Sequence, residues 1–303
     1  MKKIIFITLV VILVPYLIVS LVIKNTNNKF NFVSNMIVRV KKENGEIIEV
    51  PFEEYTLGVL AGEMPVSFEL EALKAQAVAA RSYVLKKMEQ NKNENYDILD
   101  TVMNQVYVSD ENLKEKWKDK YEENINKLKR AIKETTGEYL TYNDEIVEAF
   151  FFSTSTGKTE NSEDVFVQAL PYLRSVDSNW DSKVSPVFNE TINMSLEEFY
   201  QKLNLNYNDS LNIEITETTS TGRIKKIKIN NKEFSGNEIS NSLNLRSTFF
   251  DIKQIDDSIY ITTTGYGHGV GMSQYGAHGM AKEGYTYDQI LKHYYQGIEI
   301  SKM

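Results

Sequence analysis

The chain has 303 residues, of which 42% are hydrophobic and 25% charged, so it can form one large globular domain or two ordinary ones. Its net charge of −8 argues against non-specific nucleic-acid binding, which needs a basic face. The absence of cysteine excludes disulfides and thiolate zinc sites. A polymer ligand would therefore be held by hydrogen bonds and by stacking, for which 18 tyrosines and 14 phenylalanines are available.

The N-terminal residues predict a membrane anchor. Residues 4–23 are uncharged, and about 20 such residues are enough for a helix to cross a bilayer. Lys2 and Lys3 precede them, which predicts that residues 1–3 are cytoplasmic and that the bulk of this single-pass protein is extracytoplasmic. The alternative is a cleaved signal peptide, but no small-x-small cleavage site follows. Residues 24–35 then form a polar linker.

Residues 36–300 predict an extracytoplasmic α+β domain, with a mixed or antiparallel sheet and packed helices. Residues 36–40 and 46–50 flank Asn44-Gly45, a dipeptide typical of β-hairpins.

Two helical patterns and one inserted lobe are predicted inside this domain. Apolar residues recur at helical spacing over residues 70–84, and a longer amphipathic stripe covers residues 113–132. Residues 187–245 resemble an insertion that forms a smaller lobe. Ser235 and Glu238 in this lobe have the spacing of a helix capping box.

The glycine-rich segment of residues 265–277 is the most unusual part of the chain. Its alternating glycines permit backbone angles that other residues avoid, and such a loop before a helix can direct N–H groups at a ligand. The alternative is a tight structural turn in which His268 bonds to backbone. His268 and His278 are ten residues apart without an acidic partner at ligand spacing, so a metal site is not expected.

Glu63 is the candidate catalytic acid. It lies in Gly62-Glu63-Met64-Pro65, among small and apolar neighbours, where desolvation would raise the pKa of its carboxyl. A raised pKa is what a general acid needs near neutral pH. The alternative is an exposed glutamate in a turn.

A hydroxyl-rich loop at residues 153–159 follows a predicted strand. It lacks the glycine-rich start of a phosphate-binding loop, so phosphate binding is rejected. Its hydroxyl groups suit a sugar ligand, or they satisfy the backbone of a turn.

Taken together and in this order, these segments resemble the stage II sporulation protein D family of endospore-forming bacteria. The resemblance runs from about residue 36 to residue 297. The matching motifs are residues 53–55, 58–59, 63–65, 71–83, 105–107, 152–161, 171–173 and 267–277.

The resemblance implies a membrane-anchored lytic transglycosylase. Such an enzyme cleaves peptidoglycan glycan strands stripped of stem peptides and leaves anhydro-muramic ends, here during engulfment in sporulation. It also implies two partners in the engulfment machinery, a sporulation amidase-endopeptidase and a multi-span membrane scaffold. No cofactor is expected. Zinc is not expected either, because residues 96–104, where some relatives have Cys or His ligands, contain neither.

Glu63 matches the catalytic glutamate of the family. Hydrolytic glycosidases usually need two carboxyl groups, whereas a lytic transglycosylase can work with one, which agrees with the lack of a second carboxylate near the motifs. The other reading, a non-catalytic glycan-binding activator of a cell-wall amidase, stays open because related domains occur in amidase enhancers. The candidates for holding the glycan strand are Gln105, Ser153, Thr154, Ser155, Tyr172, His268, Ser273, Gln274 and Tyr275.

Overall fold

The structure, a computed structural model, describes residues 36–101 and 104–303. The predicted anchor, residues 4–23, and the predicted linker, residues 24–35, lie outside these described residues. Within them, no helix combines the length and the apolar character needed to cross a membrane.

The first half of the domain places helices next to short strands. Its elements are β1 (Ile37–Lys41), β2 (Ile47–Pro51), α1 (Phe52–Glu63), α2 (Leu70–Gln90), β3 (Ile98–Leu99), α3 (Asp110–Trp117), α4 (Tyr121–Glu134), β4 (Glu138–Tyr142), β5 (Glu145–Ile146) and β6 (Phe151–Phe152).

The second half contains a lobe formed by β7 to β12, which we call the inserted lobe, and six further elements of the main body. Its elements are α5 (Ser162–Val165), α6 (Asp181–Val184), β7 (Asn189–Ser195), α7 (Leu196–Lys202), β8 (Ile213–Thr218), β9 (Ile224–Ile229), β10 (Lys232–Ser235), α8 (Gly236–Ser242), β11 (Phe250–Ile255), β12 (Ser258–Thr264), β13 (Met272–Ser273), α9 (Gln274–Lys282), α10 (Tyr287–Tyr294) and β14 (Glu299–Lys302).

The strands of the described residues form several small sheets, in the orders β2-β1-β3, β14-β4-β5, β13-β6, β11-β12-β7 and β10-β9-β8. The β1–β3 and β6–β13 pairs are parallel and the remaining pairs are antiparallel. The α+β class is thus confirmed, although the strands are distributed over several sheets. The β1–β2 hairpin is also confirmed, with Gly45 at φ +85° in its turn.

Helix α2 lies at the centre of the main body and packs against α1, α4, α9, α10 and β4. Its many alanines favour the helix and let neighbouring elements approach closely. Arg81 of α2 is fully buried and forms a 2.8 Å ion pair with Glu53 of α1. Arg81 also donates to Oγ1 of Thr135 and to the carbonyl of Ile132, so this charge is satisfied at the point where α1, α2 and α4 meet.

The inserted lobe has a hydrophobic core of its own, in which Phe199, Ile227 and Ile261 are buried. This core extends from Leu196 to Ile261 and so includes β11 and β12, which follow residue 245. The capping box predicted at Ser235 and Glu238 is confirmed.

The predicted long helix over residues 113–132 is two helices, α3 and α4. A 3-10 turn at Lys118–Lys120 separates them, and Lys118 has a φ of +47° that an α-helix does not accommodate. The rings of Trp117 and Tyr121 on either side of the turn lie 6.4 Å apart, which explains the continuous apolar stripe.

Candidate functional site

Glu63 is the last residue of α1, and a neighbouring chain segment holds its carboxyl. The backbone N–H of Val106 donates a 2.8 Å hydrogen bond to Oε1 of Glu63. This approach requires the glycines of α1. A Cβ added at Gly62 would lie 2.5 Å from the carbonyl oxygen of Val106, and one added at Gly58 would lie 2.5 Å from the ring of Tyr107.

Burial raises the pKa of the Glu63 carboxyl, against the lowering effects of the Val106 N–H and of the Gln274 amide. Gln274 is the first residue of α9 and lies beside the carboxyl. Its Nε2 nevertheless makes no hydrogen bond of normal geometry with a described residue. The surroundings therefore favour a protonated carboxyl while keeping two amide groups next to it.

Glu63 lies on the wall of a cavity of about 740 Å³, which we call the Glu63 cavity. Four residues proposed for the site from the sequence line it together: Glu63, Ser153, His268 and Gln274. The inserted lobe supplies much of the wall. Lining residues that sequence reasoning did not propose for the site include Tyr83, Asn104, Phe150, Asp164, Phe166, Arg223, Lys225, Asn237, Asn241, Arg246 and Tyr266.

His268 is held by backbone on both ring nitrogens. The N–H of Val270 donates to Nδ1 over 3.0 Å, and Nε2 lies 3.1 Å from the carbonyl oxygen of Phe151, so that Nε2 carries the proton. Burial, followed by the charge of Arg223, lowers the pKa of His268 to about 4. His268 is therefore a neutral ring that fixes the glycine-rich loop, and its aromatic neighbours Phe150, Phe152 and Phe166 surround it.

The buried carboxylate of Asp181 binds the hydroxyl-rich loop through hydrogen bonds. It accepts hydrogen bonds from the N–H and Oγ of Ser155 and from the Oγ atoms of Ser178 and Ser273. Burial raises the pKa of Asp181, and these donors oppose the rise. Sequence reasoning did not identify Asp181, because this residue lies outside the motifs that were singled out. By donating to the same carboxylate, Ser155 and Ser273 connect the hydroxyl-rich loop to the glycine-rich segment inside the protein.

The other proposed strand-binding residues are not among those that line the cavity. Thr154 is buried, with its Oγ1 2.9 Å from the Oγ of Ser185. Gln105 is buried and bonds to Tyr55 and to the carbonyl of Ala80. The Tyr172 hydroxyl accepts from the N–H of Glu148. Tyr275 packs edge-on against Phe68.

A buried ion pair connects the inserted lobe to the glycine-rich loop. Nε of Arg223 lies 3.3 Å from Oε1 of Glu160, with both side chains at most 2% exposed. Arg223 also donates to the carbonyl of Gly267 over 2.8 Å, and Thr221 donates to Glu160. A Cβ on Gly269 would meet both members of the pair, at 2.8 Å and 2.9 Å. The pair thereby fixes one side of the cavity.

No cluster of three or more His, Cys, Asp or Glu side chains that could hold a metal ion is found in residues 36–101 and 104–303. The expectation that zinc is not required stays a prediction.

Comparisons with known proteins place the chain in a family. The family model described as stage II sporulation protein matches residues 40–142, and a model described as a domain of unknown function matches residues 160–271. The chain is 46% identical to stage II sporulation protein D of Bacillus subtilis over 266 residues, covering 86% of this chain and 77% of that protein. The corresponding protein of Bacillus amyloliquefaciens is 44% identical over 267 residues, with the same coverage. An amidase enhancer of Bacillus subtilis is 30% identical over 302 residues, covering 80% of this chain and 40% of the enhancer. The chain belongs to the stage II sporulation protein D family.

Proposed function

We propose that this sporulation protein is a lytic transglycosylase that cleaves the glycan strands of peptidoglycan after their stem peptides have been removed. The observation that carries the proposal is the position of Glu63. Its carboxyl lies on a cavity of about 740 Å³, its pKa is raised by burial, and a backbone N–H holds one of its oxygens. This combination suits a general acid that must later become a stabilised carboxylate.

The reaction needs one carboxyl in two successive roles. Oε1 accepts from the Val106 N–H, so the acidic proton belongs on Oε2. Glu63 gives this proton to the glycosidic oxygen between the muramic and glucosamine sugars, which leaves as the glucosamine hydroxyl. The carboxylate then takes the proton of the muramic 6-hydroxyl as that oxygen closes the anhydro ring. The Val106 N–H stabilises the carboxylate between the two steps.

Asp164 allows this mechanism to be tested, because it places a second carboxyl group on the cavity wall. Its Oδ1 lies 3.5 Å from Nζ of Lys225, so its carboxylate has a cationic partner. A hydrolase would use a second carboxyl to activate water, whereas a lytic transglycosylase needs no water. The experiment is mass spectrometry of the ends released from denuded glycan by the wild type and by Asp164→Asn.

Anhydro-muramic ends from both proteins are the expected result. Reducing muramic ends, together with a collapse of activity in Asp164→Asn, would show a hydrolase with two carboxyl groups and would overturn the proposal.

The proposed setting is the outer face of the cell membrane, with residues 4–23 as the anchor. We further propose that the protein works there beside the amidase-endopeptidase and the multi-span scaffold of engulfment. Protease added to intact protoplasts should remove residues 36–303. Protection of these residues, or recovery of a mature chain lacking the first 23 residues from the medium, would contradict this topology.

A second candidate function is supported by the 30% identity to an amidase enhancer. A binding module that stimulates an amidase would use the same cavity without needing the proton of Glu63. Amidase stimulation by Glu63→Gln distinguishes the two functions. Full stimulation, with no anhydro product from the wild type, would favour the enhancer.

A further inference from the structure

The cavity wall that the inserted lobe supplies is rich in cations. Arg223, Lys225 and Arg246 line it, although the whole chain has a net charge of −8. Glu63 and Asp164 are the acidic residues among the described lining residues. Among the described lining residues the lobe thus contributes three cations and no carboxylate, a distribution that favours an anionic ligand.

Two of these cations lie at the start of β9. Ile224, the first residue of the strand, is buried in the hydrophobic core of the lobe and also borders the cavity. Arg223 directly precedes β9 and Lys225 is its second residue, and both line the cavity. Arg223 pairs with Glu160 and donates to the carbonyl of Gly267, whereas its Nη2 is buried without a hydrogen-bond partner among the described residues.

Lys225 has only loose partners. Its Nζ lies 3.5 Å from Oδ1 of Asp164 and 3.5 Å from Oε1 of Glu217, and its side chain is 36% exposed. Both distances exceed those of charge-assisted hydrogen bonds, which are about 2.7–2.9 Å. The ammonium group can therefore exchange these carboxylates for an anion in the cavity at little cost.

Arg246 and Tyr266 provide a surface for a sugar next to this charge. The guanidinium carbon of Arg246 lies 5.6 Å from the centre of the Tyr266 ring, and Nη2 pairs with Glu190 at 2.7 Å. Tyr266 is 46% exposed and lines the cavity. An exposed aromatic ring held by a cation offers an apolar face against which a pyranose can stack.

We propose that Lys225 binds the lactyl carboxylate of a muramic sugar in the Glu63 cavity, in the positive field of Arg223 and Arg246. This inference rests on the proposed function. A stem peptide is attached through that carboxyl as an amide, which removes the charge and adds bulk. Lys225 would thus distinguish stripped strands from strands that still carry peptide.

The test measures binding rather than cleavage, so that it stands apart from the proposed reaction. Every protein carries Glu63→Gln, which prevents turnover. The two probes are a glucosamine–muramic tetrasaccharide with free lactyl carboxylates and the same tetrasaccharide with those groups converted to methylamides. Calorimetry measures the affinity for each probe at low and at high salt, and thermal unfolding checks the fold of each variant.

Lys226 gives a matched control, because it is the next residue of β9, has the same charge, is 53% exposed at its side chain and does not line the cavity. The free acid should bind more tightly than the methylamide, and salt should reduce this preference. Lys225→Gln should weaken binding of the free acid about five- to tenfold, as expected for the loss of one charge-assisted hydrogen bond, and should leave the methylamide unaffected. Lys226→Gln should change neither affinity.

Equal affinity for the two probes, or an unchanged preference in a folded Lys225→Gln protein, would overturn the inference. The proposed reaction is judged separately, by the products of the protein that retains Glu63. A preference for the free acid without any anhydro product would therefore refute the reaction and support the subsite.

Discussion

The backbone N–H of Val106 and the Oε1 atom of Glu63 are 2.8 Å apart, although 43 positions separate the two residues in the chain. The absence of a side chain at Gly62 makes this contact possible, because the carbonyl of Val106 occupies the space that a Cβ would take. The glycine of Gly62-Glu63-Met64-Pro65 is thus part of the site. It brings a hydrogen-bond donor to the carboxyl.

Gly62→Ala should reduce activity by displacing the Val106 N–H from Glu63. The new Cβ would lie 2.5 Å from a backbone oxygen, and overpacking of this kind costs about 1–3 kcal/mol of stability. The control is Gly284→Ala, at φ +93° with no atom within 4 Å, which strains the backbone at a position that does not line the cavity. Rates and unfolding free energies are measured for both. Equal activity at equal stability would contradict the role given to Gly62.

Gln274→Leu should shift the pH dependence of cleavage. The Gln274 amide lowers the pKa of Glu63, so its removal should raise that pKa further. A general acid must be protonated to act, and activity is therefore lost as the pH rises through its pKa. The alkaline limb of kcat/KM should move to higher pH in Gln274→Leu. A limb that moves to lower pH, or stays in place, would show that Gln274 does not act on this carboxyl.

Removing one member of the Glu160–Arg223 pair should cost much more unfolding free energy than replacing both members with uncharged residues. Removing one member leaves the other charge buried without its partner, which costs about 3–5 kcal/mol. Oε2 of Glu160 and Nη2 of Arg223 have no hydrogen-bond partner in the described residues, so the intact pair is imperfectly satisfied. Glu160→Gln with Arg223→Met should therefore recover most of the stability lost by Arg223→Met alone.

The exposed pair of Arg130 and Glu134, 2.6 Å apart on α4, is the control for this cycle. Arg130→Met should cost less than about 1 kcal/mol of unfolding free energy in urea. A similar cost for Arg223→Met would contradict the burial argument.

Much of the fold could be predicted from local patterns. The β1–β2 hairpin and the capping box at Ser235 and Glu238 depend on residues close in sequence, and both are confirmed. The break between α3 and α4 could not be predicted, because Trp117 and Tyr121 continue the apolar stripe across the turn. Spacing alone does not reveal the positive φ of Lys118.

The site was harder to predict than the fold, because its parts meet only in three dimensions. The motif residues Ser155 and Ser273 were proposed as ligand contacts, yet their hydroxyls point at Asp181. A hydroxyl-rich motif has the same appearance whether it faces a ligand or a buried carboxylate. Lys225 lies in β9 and Arg223 directly precedes it, but no pattern in the sequence indicated that this strand borders the cavity.

Cleavage should survive chelation. The prediction rests on the lack of cysteine in the whole chain and on the engagement of both His268 nitrogens by backbone groups. A metal ligand needs a free nitrogen lone pair, and Nδ1 already accepts from Val270. Product release is measured with and without EDTA. Loss of activity that zinc restores would require His268 to be reassigned as a ligand.

Glu63→Gln should abolish cleavage and spare the fold. The amide keeps the shape of the side chain, and its oxygen can still accept from the Val106 N–H, but it cannot transfer a proton. Because general acid–base catalysis contributes about 100- to 10,000-fold in rate, the release of anhydro-muramic product should fall by that order. Binding of the glycan strand should persist, since the other walls of the cavity are unchanged.

The pKa of Glu63 also predicts the direction in which Glu63→Gln changes the stability of the fold. Burial raises the pKa of Glu63, so the folded state holds its proton more tightly than the unfolded state does. The stability that this group contributes is present below its unfolded pKa and is lost as the pH rises through its folded pKa. Glu63→Gln removes this dependence, and its melting temperature should equal or exceed that of the wild type at alkaline pH.

Product release, strand binding and thermal unfolding are measured on the same protein across pH. A folded Glu63→Gln protein that releases anhydro product at the wild-type rate would refute the mechanism. Inactivity caused by unfolding would instead identify Glu63 as a structural residue at the end of α1.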